Sequence, residues 1–337
     1  LNVNSTREEP GKYLWWLWEK GATLEAINWY IEERKKYNDH GEIASECPSD
    51  DVEAFVHSGA RVFDKYKVEE FKRSCRPPKE IGDIAGKDRK GKEALKDIRF
   101  IANQQGQLWI WSHPEIDPEE KVKDRYLVIV DIGGRSRKAD WSVILVLDRL
   151  YMIDGDKPSV KTMLTEGAKH VLAWKSAQIA AYYDNALLVI ESNTLETHDR
   201  DRNVEGDQSG YILNQIKDVY SNLYARKQKE EEIIEHAPLK YGFHTNVNTK
   251  PMIISNLIEI VSEGLYIERD KRCLDEYLTY EKKQNGSYGA ITGKHDDLLM
   301  TRAIGLHICY NEMELPRIVK RSSNQMQQRK VISAATI

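Results

Sequence analysis

Two stretches of the chain are almost wholly apolar and each stops on an acid: Tyr126–Asp131 (YLVIVD) and Leu187–Glu191 (LLVIE). Runs this short and rich in branched side chains predict strands buried on both faces. A carboxylate placed directly after such a run is expensive to bury without a partner or a cation. The two runs therefore ask for a covered sheet and for something that makes use of charge at its edge.

The surrounding pattern fills in the sheet. After a Gly133-Gly134 turn, Trp141–Leu147 (WSVILVL) predicts a second strand, and Val160–Leu164 a third after the Lys157-Pro158 turn. Val171, Leu172, Trp174, Ile179 and Tyr182 fall on one face of a helix over 167–184. Further helices are predicted over 210–226, from Lys250-Pro251 to Gly264, over 270–283, and over 295–310 as an amphipathic helix; a short strand is expected at 265–267. Strands in a run and then alternating with helices predict an α/β fold with a mixed central sheet flanked by helices.

The first 120 residues read differently. Tyr13–Trp18 (YLWWLW) leads into a helix from Leu24 to Tyr37, and its tryptophans are expected as a buried anchor against a neighbouring domain. Ser49 or Asp50 is expected to cap a short helix that ends at Gly59. Residues 76–93 predict an exposed linker. Within it Gly86–Glu93 (GKDRKGKE) nearly matches a phosphate-binding loop, but Glu93 stands where Ser or Thr would bind Mg²⁺, and no strand is read before it. Residues 316–337 hold five Lys or Arg and no acid, which predicts a flexible basic tail.

Composition narrows the classes further. With 40% hydrophobic and 31% charged residues, the 337-residue chain has material for a substantial core. No apolar run approaches the roughly 20 residues that span a bilayer, so no membrane partner is expected. The four cysteines are scattered, without a Cys-x-x-Cys pair, which argues against zinc or a disulfide framework. A net charge of −4 argues mildly against tight independent DNA binding, though a carboxylate site lowers the charge by itself. The chain opens on Leu1 rather than Met, as expected for a piece of something longer.

Asp131, Glu191 and the Asp296–Asp297 pair stand at three structural junctions. Singly, each has an ordinary explanation: an Asp at a strand end turns the chain, Asp296 suits a helix N-cap, and Asp297 suits the helix dipole. Together they predict more. If the two acid-ending strands are parallel neighbours, both carboxylates emerge at the carboxyl edge of the sheet, where sites form in open sheets. A helix opening at Asp296 can bring its N-terminus to that edge. Such a set suits Mg²⁺ or Mn²⁺, two ions about 4 Å apart, and hydrolysis of a phosphodiester. A basic rim must then offset the acids. Arg135, Arg137 and Lys138, Arg200 and Arg202, and Lys294 are the nearest candidates for phosphate contacts.

These segments resemble a known family. VIVDIGGRSRKADWSVILVLD, LLVIESNT and GKHDDLLMTRA are similar, in order, to the nuclease motifs of the large terminase subunit, the packaging motor of tailed bacteriophages. ECPSDDVEAFVHSGARVFD resembles the segment that joins that family's ATPase to its nuclease, so the resemblance covers residues 40–312. It implies a ribonuclease H-like fold and two-metal cleavage of double-stranded DNA, with Asp131, Glu191, Asp296 and Asp297 as metal ligands. It also implies a portal protein and a small terminase subunit as partners, and the cytoplasm of the bacterial host as location. The division expected is an N-terminal segment over 1–120 resembling the end of the ATPase region and linker, a nuclease domain over 121–315, and the tail over 316–337. No intact Walker motif is present, so no ATPase is expected in this chain. Two other readings fit the same acids: another ribonuclease H-like nuclease, such as a junction resolvase or transposase, and a non-catalytic DNA-binding assembly module.

Overall fold

The computed structural model describes residues 10–37, 43, 46–49, 60–132, 142–155, 158–168, 173–192, 213–228, 233–234, 236, 239–283, 286–291 and 293–321. The cap expected at Asp50 and the turn at Gly133-Gly134 lie outside them. Helices α1 (Pro10–Glu19) and α2 (Leu24–Arg34) pack together, with Thr23 capping α2 through the Ala26 amide. Tyr13, Leu14 and Leu17 bury against Ile27, Tyr30 and Ile43, while Trp15, Trp18 and Trp29 stay exposed. Trp15 and Trp18 are thus not the buried anchor expected of the aromatic run, whereas Trp16 is partly buried against this cluster. The helical spacing turns Tyr13, Leu14 and Leu17 inward and leaves Trp15 and Trp18 on the outer side.

The elements that follow are β1 (Ala60–Arg61), α3 (Lys65–Lys72), β2 (Glu80–Ala85), β3 (Arg99–Ala102), β4 (Leu108–Ile110) and β5 (Glu120–Lys123). Next come β6 (Tyr126–Asp131), β7 (Ser142–Asp148), β8 (Val160–Ala168), α4 (Ala173–Tyr182) and β9 (Leu187–Ile190). The chain closes with α5 (Thr249–Glu263), β10 (Tyr266–Ile267), α6 (Lys271–Leu278), β11 (Tyr280–Lys282), β12 (Tyr288–Ala290), α7 (Asp297–His307) and β13 (Arg317–Lys320).

The main sheet runs β3-β2-β4-β8-β7-β6-β9. β6, β7 and β8 form an antiparallel meander, and β9 returns through α4 to lie parallel to β6. Beyond β9 the backbone at Leu223 and at Phe243 bridges Leu188 and Glu191 in parallel. A three-stranded meander, a helical crossover and parallel strands on its far side make up the ribonuclease H-like order. Several expectations fail against this topology. The stretch read as a linker contains β2, so the sheet continues through β2, β3 and β4 into residues upstream of 120. A strand does precede the near-match to a phosphate loop, but Glu93 pairs with Lys87 at 3.0 Å and Lys96 at 2.5 Å, so the nearby ammonium groups answer a carboxylate. Helix was expected through 226, yet the helical turn at 213–216 gives way to the extended segment that bridges β9. Helix was likewise expected through 283, where Tyr280–Lys282 instead pairs with β12. The expected tail begins as β13, antiparallel to β5, and Arg321 grips Asp184 with two hydrogen bonds of 2.8 and 3.0 Å.

Alternation along the strands separates two cores. Tyr126, Val128, Val130, Leu188 and Ile190 pack with α4. Leu127, Ile129, Leu145, Leu147 and Val189 pack with α5 and α7 on the other face. α7 is buried nearly all round rather than amphipathic, because the sheet, α5 and α6 enclose it. Arg302, fully buried, donates to Glu268 at 2.9 Å through Nε and 3.2 Å through Nη2. Removing either partner alone leaves a charge unpaired in the core and costs about 3–5 kcal/mol. A Cβ on Gly305 would come within 2.7 Å of Ile129 Cδ1 and 3.0 Å of Leu147 Cδ1, so the helix backbone rests directly on these two side chains of the sheet. Gly305→Val should therefore push α7 off the sheet and destabilise the protein by about 1–3 kcal/mol, read as a lower thermal midpoint. A midpoint equal to that of the original protein would show that Ile129 and Leu147 yield without strain.

Candidate active site

The same alternation aims the acids. Asp131 is two positions beyond Ile129 and Glu191 two beyond Val189, so both side chains belong to the face that α7 covers. Register brings them level: the Glu191 amide donates to Val130 O at 2.9 Å, one residue before Asp131. The Ser192 amide donates to Phe243 O at 2.8 Å, which carries the parallel pairing past the acid. Glu191 is only 6% exposed.

α7 begins where these carboxylates end. Asp296 sits at the N-cap position but makes no capping hydrogen bond with its side chain. The cap comes from α6, where Glu276 accepts from the Leu299 amide at 2.7 Å. Glu276 does from outside the work expected of Asp296, so the ordinary explanation for Asp296 is not the one the structure uses. Asp297, also 6% exposed, lies 3.5 Å from His295 Nδ1, and Asp296 lies 3.6 Å from Lys250 Nζ. Lys250 stands in the first turn of α5. A string of hydrogen bonds fixes that turn: His244 Nδ1–H donates to Ser192 O at 3.1 Å, and Thr249 Oγ1 donates to His244 O at 2.8 Å.

The other three predicted acids all act on Asp131. The Asp131 carboxyl is pushed well above the usual carboxylate range, first by burial, then by the charge of Glu191 and a hydrogen bond with it, then by Asp297 and Asp296. Burial and like charge act in the same direction here, each disfavouring the ionised form. Glu276 is pushed up to about 8, mainly by burial and further by Asp297 and Asp296, while the Leu299 amide and Arg302 oppose the shift. Among the described residues no three His, Cys, Asp or Glu side chains already form a compact ligand group. The donors are all carboxylate oxygens, the chemistry that suits a hard divalent cation, and a cation would favour the ionised form of each. Of the expected basic rim, Lys294 is exposed beside His295. Arg135, Arg137, Lys138, Arg200 and Arg202 lie outside the described residues. Lys250 and Glu276 were not singled out in the sequence; a helix-start lysine and a mid-helix glutamate carry no signal of their own.

No protein-family model matches the chain, and no curated protein does. Among solved structures it is similar to the large terminase nuclease of thermophilic phage G20c with bound magnesium, at 17% identity and a TM-score of 0.40, over 60% of this chain and 88% of that one. It is similar to the Thermus phage P74-26 large terminase nuclease domain at 16% identity and 0.37, over 63% and 90%. The human cytomegalovirus terminase nuclease domain, Mn-soaked and inhibitor-bound, is similar at 11% identity and 0.34, over 56% and 85%.

The Glu276 shift has a definite pH consequence. Between about pH 4.5 and 8 the folded chain holds a proton that the unfolded chain has lost, so this group's contribution is complete at low pH and disappears as pH rises through about 8. Glu276→Gln keeps an oxygen for the Leu299 amide and removes the titration. In EDTA its melting temperature should fall less steeply across that window than that of the unaltered chain. Parallel slopes would mean that Glu276 stays ionised in the folded protein.

Proposed function

We propose that this chain is a Mg²⁺- or Mn²⁺-dependent endonuclease acting on double-stranded DNA, with Asp131, Glu191, Asp296 and Asp297 holding two ions. One observation carries the reading: Asp131 at the end of β6 pairs level with Glu191 after β9, and its carboxyl is pushed up by burial, then by Glu191 and by Asp297 and Asp296 at the start of α7. Such a concentration of like charge is unfavourable for a fold and useful to a cation site. Bound there, the ions would supply an activated water and neutralise charge on the scissile phosphate. The protein's own part is to hold the oxygens. β6 and β9 fix Asp131 and Glu191 by backbone pairing, and Glu276 frees Asp296 by capping α7 in its place.

Arg135, Arg137, Lys138, Arg200 and Arg202, with Lys294, are the phosphate-contacting residues in this reading. The resemblance of the motifs to terminase nucleases supports a role in viral genome packaging, with portal protein and small terminase subunit as partners in the host cytoplasm and no ATP hydrolysis by this chain.

The test pairs activity with stability. Asp131→Asn should abolish Mn²⁺-dependent relaxation of plasmid DNA. In EDTA it should melt at the same temperature as the unaltered protein or about 2–4 °C higher, since a repulsion worth on the order of 1 kcal/mol is relieved. Cleavage that persists in EDTA sinks the metal mechanism. A large fall in the melting temperature of the variant would make Asp131 a structural residue instead.

A further inference from the structure

Lys250 is a contact of the acid cluster that the nuclease reading leaves without a task. Its ammonium lies 3.6 Å from Asp296 Oδ2, longer than a hydrogen bond of good geometry, and its side chain remains 30% exposed. It also sits 6.0 Å from the centre of the Tyr280 ring, on the strand that follows α6. The helix start that bears it is tied through Thr249, His244 and Ser192 to the strand end that carries Glu191. The backbone of Lys250 is therefore held in place relative to the acids, while its four-carbon stem reaches solvent.

We propose that Lys250 is an exchangeable counter-ion: it neutralises Asp296 while the cluster lacks divalent ions, and moves to a non-bridging oxygen of the DNA phosphate when they bind. The inference rests on the nuclease reading above and adds a DNA-contacting residue to it. The reason is electrostatic. One ammonium offsets part of a cluster of four carboxylates, but a divalent ion coordinated by Asp296 repels it. A lysine is a point charge on a flexible stem, so it can leave one anion for another without disturbing the backbone. A phosphate brought to the same edge is the next anion within reach. Lys250 thus competes with metal in the free protein and assists the substrate in the complex, so its removal should move the two affinities in opposite directions.

That opposition is the test. Mn²⁺ binding is measured by calorimetry without DNA, and binding of a short fluorescent DNA duplex is measured in Ca²⁺ over a range of KCl concentrations. Lys250→Gln should tighten Mn²⁺ by about tenfold at low salt, because a competing charge is gone. The same variant should weaken duplex binding and flatten its salt dependence by about one counterion. Lys250→Arg should restore the salt slope, and both variants should melt as the unaltered protein does. Mn²⁺ binding that weakens in Lys250→Gln would show that the lysine merely holds Asp296 in position, and overturns the exchange. An unchanged salt slope overturns it as well. An unaltered chain that binds no Mn²⁺ overturns the nuclease reading itself, and the exchange with it.

Discussion

The parallel pairing of β6 with β9 is the interaction on which the rest depends. One backbone hydrogen bond, from the Glu191 amide to Val130 O, fixes the register in which two acids stand level. Strand geometry then leaves no freedom: a slip of one residue would turn Glu191 to the face covered by α4 and leave Asp131 without its neighbour. The apolar blocks before each acid hold that register. Leu127, Ile129 and Val189 are committed to one core and Val128, Val130, Leu188 and Ile190 to the other, so a slip would move every one of them to the wrong side.

The third acidic junction is held by different means, because it comes from a helix that no strand pairing can align. Three contacts locate α7. Gly305 admits the sheet near its C-terminal end, Arg302 at its middle is clamped by Glu268 inside the core, and Glu276 accepts from the Leu299 amide in its first turn. Each acts on a different part of the helix, so its height, rotation and end are set separately. The substitution of Glu276 for a local cap matters most for chemistry. A helix that opens on two aspartates would ordinarily consume one of them in capping; here the orphan amide is answered from α6 and both carboxylates remain at the sheet edge.

Much of this was legible in the sequence, and what was not has physical causes. The strands around Asp131 and Glu191 were plain because four to six consecutive apolar residues have few other uses. Which face each acid would take was not, since strands buried on both sides carry no alternation. The overextended helix at 210–226 was a fair reading of Leu213, Ile216 and Tyr220, which recur at helical spacing and are all buried; Leu223 next to them bridges β9, and tertiary pairing overrode the local pattern. β2 was missed because only Ile84 and Gly82 within it are buried, so it lacks the apolar mark of a core strand. Among site residues, the acids announced themselves by the cost of their placement. Lys250 and Glu276 did not, because each is recognisable only from what lies across from it in space.

The clasp between Arg321 and Asp184 has a bearing on handling the molecule. Asp184 lies before the start of β9, and β13 pairs with β5 before the start of β6, so the last described residue is anchored at the end of the sheet opposite the acids. β13 thus stands about a strand's length, the six residues of β6, from Asp131. A surface linkage made on β13 itself would present the carboxylate edge outward to the solution, so this strand is a natural place from which to hold the protein while that edge is probed.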